Sequence, residues 1–211
     1  MSTYVVFDLE MCNVPKGKAR EQFPFGKELI QIGAVAMNDS FKIIDSFCTY
    51  VKPEFGGIDS YIRHLTGITR GNVANAPTSE MALKAFYDWL PNDAVLVTWS
   101  ENDVMQIKKE IELKSIDIPE IYNYLDESID CQNVFSKKMS TESLFKLSEA
   151  LSISNIDYDE GFHNALTDAK NTALLFAKTQ QEEVLILSPY YIRREDYLRS
   201  RCDSFASFYY L

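Results

Sequence analysis

The chain opens with a short, unbroken apolar run, Tyr4-Val5-Val6-Phe7, which breaks into Asp8-Leu9-Glu10. A continuous run of this kind suits a central strand covered on both faces, so a strand is predicted over residues 3–9. Residues 13–26 carry two prolines, two glycines and several charges and read as a loop. Strands follow at 28–37 and 41–51. The polar link Asn38-Asp39-Ser40 marks an antiparallel hairpin between them. Residues 53–75 mix turns with a short helix around 60–65. Thr78 can cap a helix running to residue 90 and stopped by Pro91. A further apolar strand is predicted at 94–99. Val104, Ile107 and Ile111 then recur at helical spacing within 103–113. A short edge strand is expected within 120–130, a helical turn near Val134 and a helix over 143–151. The strongest helical pattern spans 164–180. There Ala165, Ala169 and Ala173 form a small-residue ridge suited to close packing.

This order predicts an α/β fold, a mixed five-stranded sheet flanked by helices on both faces. No repeat or long linker interrupts it. A domain over residues 1–180 is expected, with an extension at 181–211 packed on it. The extension is rich in Tyr, Phe and Arg, and could hold a protein partner or a second copy.

Composition narrows the class. With 46% hydrophobic and 25% charged residues among 211, the chain should build a substantial core. The apolar run at 4–7 is far too short to span a membrane, and no leader with a basic start and cleavage site precedes it. Cys12, Cys48, Cys131 and Cys202 form no CxxC pair, which argues against a zinc knuckle or a disulfide framework. Reduced thiols in a cytoplasmic protein with no membrane contact are expected. The net charge of −10 counts against an extensive nucleic-acid surface. A carboxylate metal site would account for part of that charge, because bound cations offset it. Lys16, Lys18 and Arg20, or Arg193, Arg194, Arg199 and Arg201, could form a local basic strip. Either group could equally be solvated surface.

Three clusters carry candidate chemistry. Side chains two apart on a strand share a face, so Asp8 and Glu10 project together. Two such charges 4 Å apart cost about 4 kcal/mol at an effective dielectric near 20, which a divalent cation would remove. The bland alternative is a solvated strand end. Asp103 follows the strand at 94–99, on the side where ligands gather in open α/β sheets. It could instead merely favour a helix dipole, and Glu101 competes for the same role. The third cluster is His163-Asn164-Ala165-Leu166-Thr167-Asp168. Five helical residues turn the direction by about 140°, so His163 must lie in the loop before the helix and fold back toward Asp168. An imidazole titrates near pH ~6.5, suiting it to take a proton from water. A surface histidine near a helix start is the ordinary alternative.

Phe7-Asp8-Leu9-Glu10, an aspartate after a middle strand, and the late His-x-Ala-x-x-Asp together resemble the three motifs of the DEDDh-type 3′–5′ exonucleases. Val51-Lys52-Pro53 with His64-Leu65-Thr66-Gly67-Ile68-Thr69 resembles the stretch these enzymes carry between their first two motifs. Asp168-Ala169-Lys170-Asn171-Thr172-Ala173 is most similar to the Eri-type RNA exonuclease branch. The resemblance covers residues 3–180. It implies an RNase H-like fold and hydrolysis from the 3′ end of RNA or single-stranded DNA. It implies two Mg²⁺ ions, with Mn²⁺ as a substitute, on Asp8, Glu10, Asp103 and Asp168. His163 would be the general base, and Met11, Leu65 and Ile68 would meet the terminal nucleotide. Met11 departs from the threonine many relatives carry after the first-motif glutamate, and His64 reads as structural or incidental. A non-catalytic interaction module on the same fold is the competing expectation.

Overall fold

The structure is a computed structural model that describes residues 3–161 and 163–191. In chain order the elements are β1 (Thr3–Asn13), α1 (Lys18–Gln22), β2 (Lys27–Met37), β3 (Ile43–Tyr50), α2 (Ser60–Thr66), α3 (Arg70–Ala74) and α4 (Ser79–Trp89). They continue with β4 (Ala94–Thr98), α5 (Glu101–Lys114), α6 (Ile121–Asp126), β5 (Ile129–Asp130), α7 (Cys131–Lys138), α8 (Leu147–Ile153) and α9 (Ala165–Gln181). The sheet order is β3-β2-β1-β4-β5. β2 is antiparallel to β1 and β3, and β4 is parallel to β1 and β5. This is the mixed five-stranded α/β sheet that the pattern of elements predicts.

Alternation along β1 divides the core. Val5, Phe7 and Leu9 are buried with Leu83 and Phe86 of α4 and Ile107 and Ile111 of α5. Val6 is buried on the other face with Ala173 and Phe176 of α9 and Cys131 of α7. β1 runs four residues beyond the expected end, because Met11, Cys12 and Asn13 pair with Leu29, Glu28 and Lys27 of β2. A register shift falls between Glu10 and Met11, at the residues nearest the candidate chemistry.

Several boundaries differ from the sequence expectation. Within 120–130 a helix, α6, precedes a strand of only two residues. Ile121 and Leu125, four apart, are both buried, which is a helical rather than an alternating period. The helix expected at 143–151 starts at Leu147. Residues 143–146 are held off the helix by Ser136 Oγ, which donates to the Ser143 carbonyl at 2.8 Å, and by Gln132 Nε2, which donates to the Phe145 carbonyl at 2.6 Å. Thr78 caps α4 by accepting from the Met81 amide, as expected.

Beyond α9, Leu185 is buried with Phe135, Leu151 and Leu175. The Ser188 amide donates to the Ile153 carbonyl at 2.7 Å. Residues 192–211, with Arg193, Arg194, Arg199, Arg201 and Cys202, lie outside the described residues. Cys12, Cys48 and Cys131 are unpaired. Among the described residues no helix is long and apolar enough to cross a membrane.

Candidate active site

The candidate residues converge at the carboxyl end of β1. Asp8, Glu10, Met11, His163 and Asp168 all line one cleft of about 740 Å³, whose other wall is residues 144–148. Asp103 is buried, 6% exposed, and takes a hydrogen bond from the Leu9 backbone of β1. α5 begins at Glu101, after Ser100, so Asp103 is the third helical residue rather than the first. Asp103 raises the proton affinity of Asp8 and Glu10, whereas Glu101 is exposed and lines a different cleft, with Met105 and Lys108.

His163 and Asp168 are joined through the backbone. His163 takes a left-handed conformation, φ 64°, in the loop before α9. Its amide donates to Asp168 Oδ2 at 2.8 Å. Asn164 caps α9 by accepting from the Thr167 amide. The loop therefore folds back, and the His163 ring is exposed at the cleft. One side-chain ligand atom each from Glu10, His163 and Asp168 falls within a mutual 4.8 Å. The second oxygen of Asp168, Oδ1, is buried and has no hydrogen-bond partner.

The acids disturb one another. Burial pushes Glu10 up to about 8, with Asp168 and Asp103 adding repulsion. Burial likewise lifts Asp103 to about 7, against the pull of a hydrogen bond from the Leu9 backbone. Asp8 is held well above the usual carboxylate range by burial and then by Asp103, Asp168 and Glu10. Asp168 is raised by burial, while the His163 amide and the His163 charge act to lower it. A site that drives its own carboxyls toward the protonated form lacks a counter-charge, and a divalent cation supplies one.

Two residues that sequence reasoning passed over hold α9 against the sheet. Gln31, opposite Glu10 on β2, accepts the Ala165 amide through Oε1 at 3.2 Å. Gly33, opposite Asp8, lies directly under the start of α9. A Cβ on Gly33 would collide with the Leu166 nitrogen and lie 2.6 Å from the Ala165 oxygen. The only sequence signal was a glycine inside a strand, which often marks a close backbone approach.

The remaining candidates are dispersed. Ile68 is buried in a satellite core with Cys12, Ile30, Ile58, Ile62 and Val73. Leu65 is half-buried on α2, and neither it nor Ile68 is among the residues lining the cleft. Arg20 closes the loop after β1, donating through Nη2 to the Val14 carbonyl at 2.6 Å. Lys16 and Lys18 are exposed.

A mixed sheet in the order β3-β2-β1-β4-β5 flanked by helices is the RNase H-like fold. The family described as Exonuclease matches residues 5–176, and the chain belongs to it. It is 27% identical over 197 residues to ERI1 exoribonuclease 2 of Danio rerio, covering 81% of this chain but only 35% of that protein. It thus spans about a third of that relative's length. It is 24% identical to the probable 3′–5′ exonuclease KapD of Bacillus subtilis, over 89% of both chains. Among solved structures it is similar to the nuclease domain of 3′hExo, a DEDDh family member bound to rAMP. That likeness has a TM-score of 0.74 at 24% identity, over 89% of this chain and 96% of that one.

Proposed function

We propose that the protein removes nucleotides from the 3′ end of RNA or single-stranded DNA, using two divalent ions and a histidine base. The observation that carries this is the meeting of Glu10, His163 and Asp168 within 4.8 Å, beside a buried Asp168 oxygen with no partner. An orphaned, buried carboxylate oxygen is costly unless a ligand completes it. The donor set is oxygen-rich, which suits Mg²⁺ or Mn²⁺. Asp8, Glu10, Asp103 and Asp168 would hold the ions. When bound, such ions provide Lewis acidity and an activated water for phosphodiester hydrolysis.

The chain's own groups do the rest. Asp168 braces the loop by accepting the His163 amide, leaving the imidazole exposed at the cleft, where it would take the proton of the attacking water. Met11 lines the cleft directly after Glu10, where it would touch the terminal nucleotide. Of the three expected contacts, Met11, Leu65 and Ile68, only Met11 is among the residues lining this cleft.

The test is a gel time course on 3′- and 5′-labelled RNA and DNA 20-mers with Mg²⁺, Mn²⁺ or EDTA, beside Asp8→Ala. Stepwise loss from the 3′ end that requires both metal and Asp8 is expected. A folded protein that degrades nothing and binds no Mn²⁺ would sink the reading and favour an interaction module.

A further inference from the structure

A second cleft, of about 860 Å³, opens on the outer side of the α2–α3 segment. Its walls carry Arg63, His64 and Arg70 together with Ser60 and Thr69. In a chain of net charge −10, Arg63 and Arg70 give this cleft two cations. No ion pair among the described residues involves Arg63, His64 or Arg70. Asp59 also lines the cleft, but its carboxylate is occupied in capping α2, accepting the Ile62 amide at 2.8 Å. Arg70 is the most constrained cation. Its Nε donates to the Ile58 carbonyl at 3.1 Å, which fixes the guanidinium plane and leaves the outer nitrogens for a ligand.

The segment that carries this cleft is packed on β1. Ile62 and Ile68, on the inner side of the same segment, are buried with Cys12. Cys12 is two residues past Glu10 on β1, a rise of about 7 Å at ~3.3 Å per strand residue. The packing thus anchors the α2–α3 segment, through its apolar side, on the end of the strand that carries Asp8 and Glu10. Planar guanidinium groups with free donors match phosphate oxygens, and the Ser60 hydroxyl can add a neutral hydrogen bond, while the Thr69 hydroxyl is held by Asn72 in the capping box of α3.

Resting on the exonuclease reading above, we infer that this cleft is a second binding site, which holds the phosphodiester backbone of the substrate strand upstream of its 3′ end. It recognises phosphates and not bases, so it serves any sequence. A dinucleotide is too short to occupy both clefts, whereas a 20-mer reaches both.

The experiment compares wild type, Arg63→Glu, and Arg63→Gln/Arg70→Gln, each checked for an unchanged melt. Binding of a fluorescein-labelled single-stranded RNA 20-mer is measured in EDTA across a salt series. Dinucleotide hydrolysis is measured in Mg²⁺. Each single-strand phosphate contact contributes ~0.7 to the slope of log K against log salt, so the double variant should lose about 1.4 of slope and roughly tenfold or more in affinity at 0.1 M salt. Dinucleotide turnover should be unchanged. Wild-type affinity and slope in both variants would overturn the proposal, as would equal loss of dinucleotide turnover in a folded variant. Retained RNA binding with lost binding of poly-glutamate would assign the cleft to an acidic protein instead. If wild type neither binds the 20-mer nor cleaves either substrate, the exonuclease reading itself fails; if it does both and the variants match it, only this cleft's role fails.

Discussion

Gly33 and Leu166 touch backbone to backbone: the space a Cβ on Gly33 would need is occupied by the Leu166 amide nitrogen. Because Gly33 pairs with Asp8 on the neighbouring strand, this contact sets how closely α9 brings Asp168 to the β1 acids. Gly33→Ala must push the helix away, since neither backbone can yield as a flexible side chain would. An overpacking cost of about 1–3 kcal/mol is expected, read as a lower midpoint in denaturant melts. The loss of turnover should exceed what the unfolded fraction explains. A variant with wild-type activity would show that the spacing is not critical.

His163 can be removed without disturbing its backbone. Its left-handed φ of 64° is one that glycine adopts freely, and its structural bond is made by the amide rather than the ring. His163→Gly should fold at least as stably as wild type and keep Mn²⁺ binding largely intact. Its turnover should fall by about 10²–10⁴-fold, the usual contribution of a positioned base. Normal turnover would remove His163 from the mechanism.

The middle acid can be assigned by a pair of neutral substitutions. Asp103→Asn should weaken metal binding and turnover by roughly a hundredfold or more, at least what an outer-shell partner costs. Glu101→Gln should change neither, since that side chain is exposed and lines a different cleft. Equal effects from both, by metal titration and single-turnover rates, would contradict the orientation of α5.

The metal-free protein should lose stability as pH rises. Glu10 moves from 4.5 to about 8 and Asp103 from 3.8 to about 7. A carboxyl whose affinity for its proton is raised by folding contributes stability that is complete below the unfolded value. That contribution is lost as pH rises through the folded one. In EDTA, thermal stability should therefore decline between about pH 4 and about pH 8 and level off above, so far as these two groups govern it. Added Mg²⁺ or Mn²⁺ should raise the melting temperature more at pH 8 than at pH 5, because fewer protons must be displaced. A metal-free melt that climbs steadily from pH 5 to pH 8 would contradict the clustering of the acids.

Lys114 bridges a buried pair of carboxylates. It meets Glu28 at 2.6 Å and Glu110 at 2.8 Å, with both glutamate side chains 0% exposed. Glu28 also accepts the amides of Glu54, Phe55 and Gly56, fastening the loop between β3 and α2. Lys114→Met leaves two carboxylates without their cation and should cost about 3–5 kcal/mol. Chemical denaturation measures this directly. A loss under 1 kcal/mol would mean that water reaches the pair.

Much of this protein is legible locally. Alternation along a strand puts Asp8 and Glu10 on one face, and a polar three-residue link makes the β2–β3 hairpin. A helical period places His163 before α9 and Asp168 within it. Each depends on residues a few positions apart, whose relative directions the backbone geometry dictates. The choice between Asp103 and Glu101 is different, because it turns on where α5 starts and which of its faces meets β1. So are the support of α9 by Gln31 and Gly33, the non-helical rim at 143–146, and the satellite core that takes in Ile68. The cationic cleft around Arg63 and Arg70 belongs with them, for no basic run marks it along the chain. These features arise from contacts between segments far apart in sequence. Burial and close packing select among local options there, and neither periodicity nor motif spacing records which option wins.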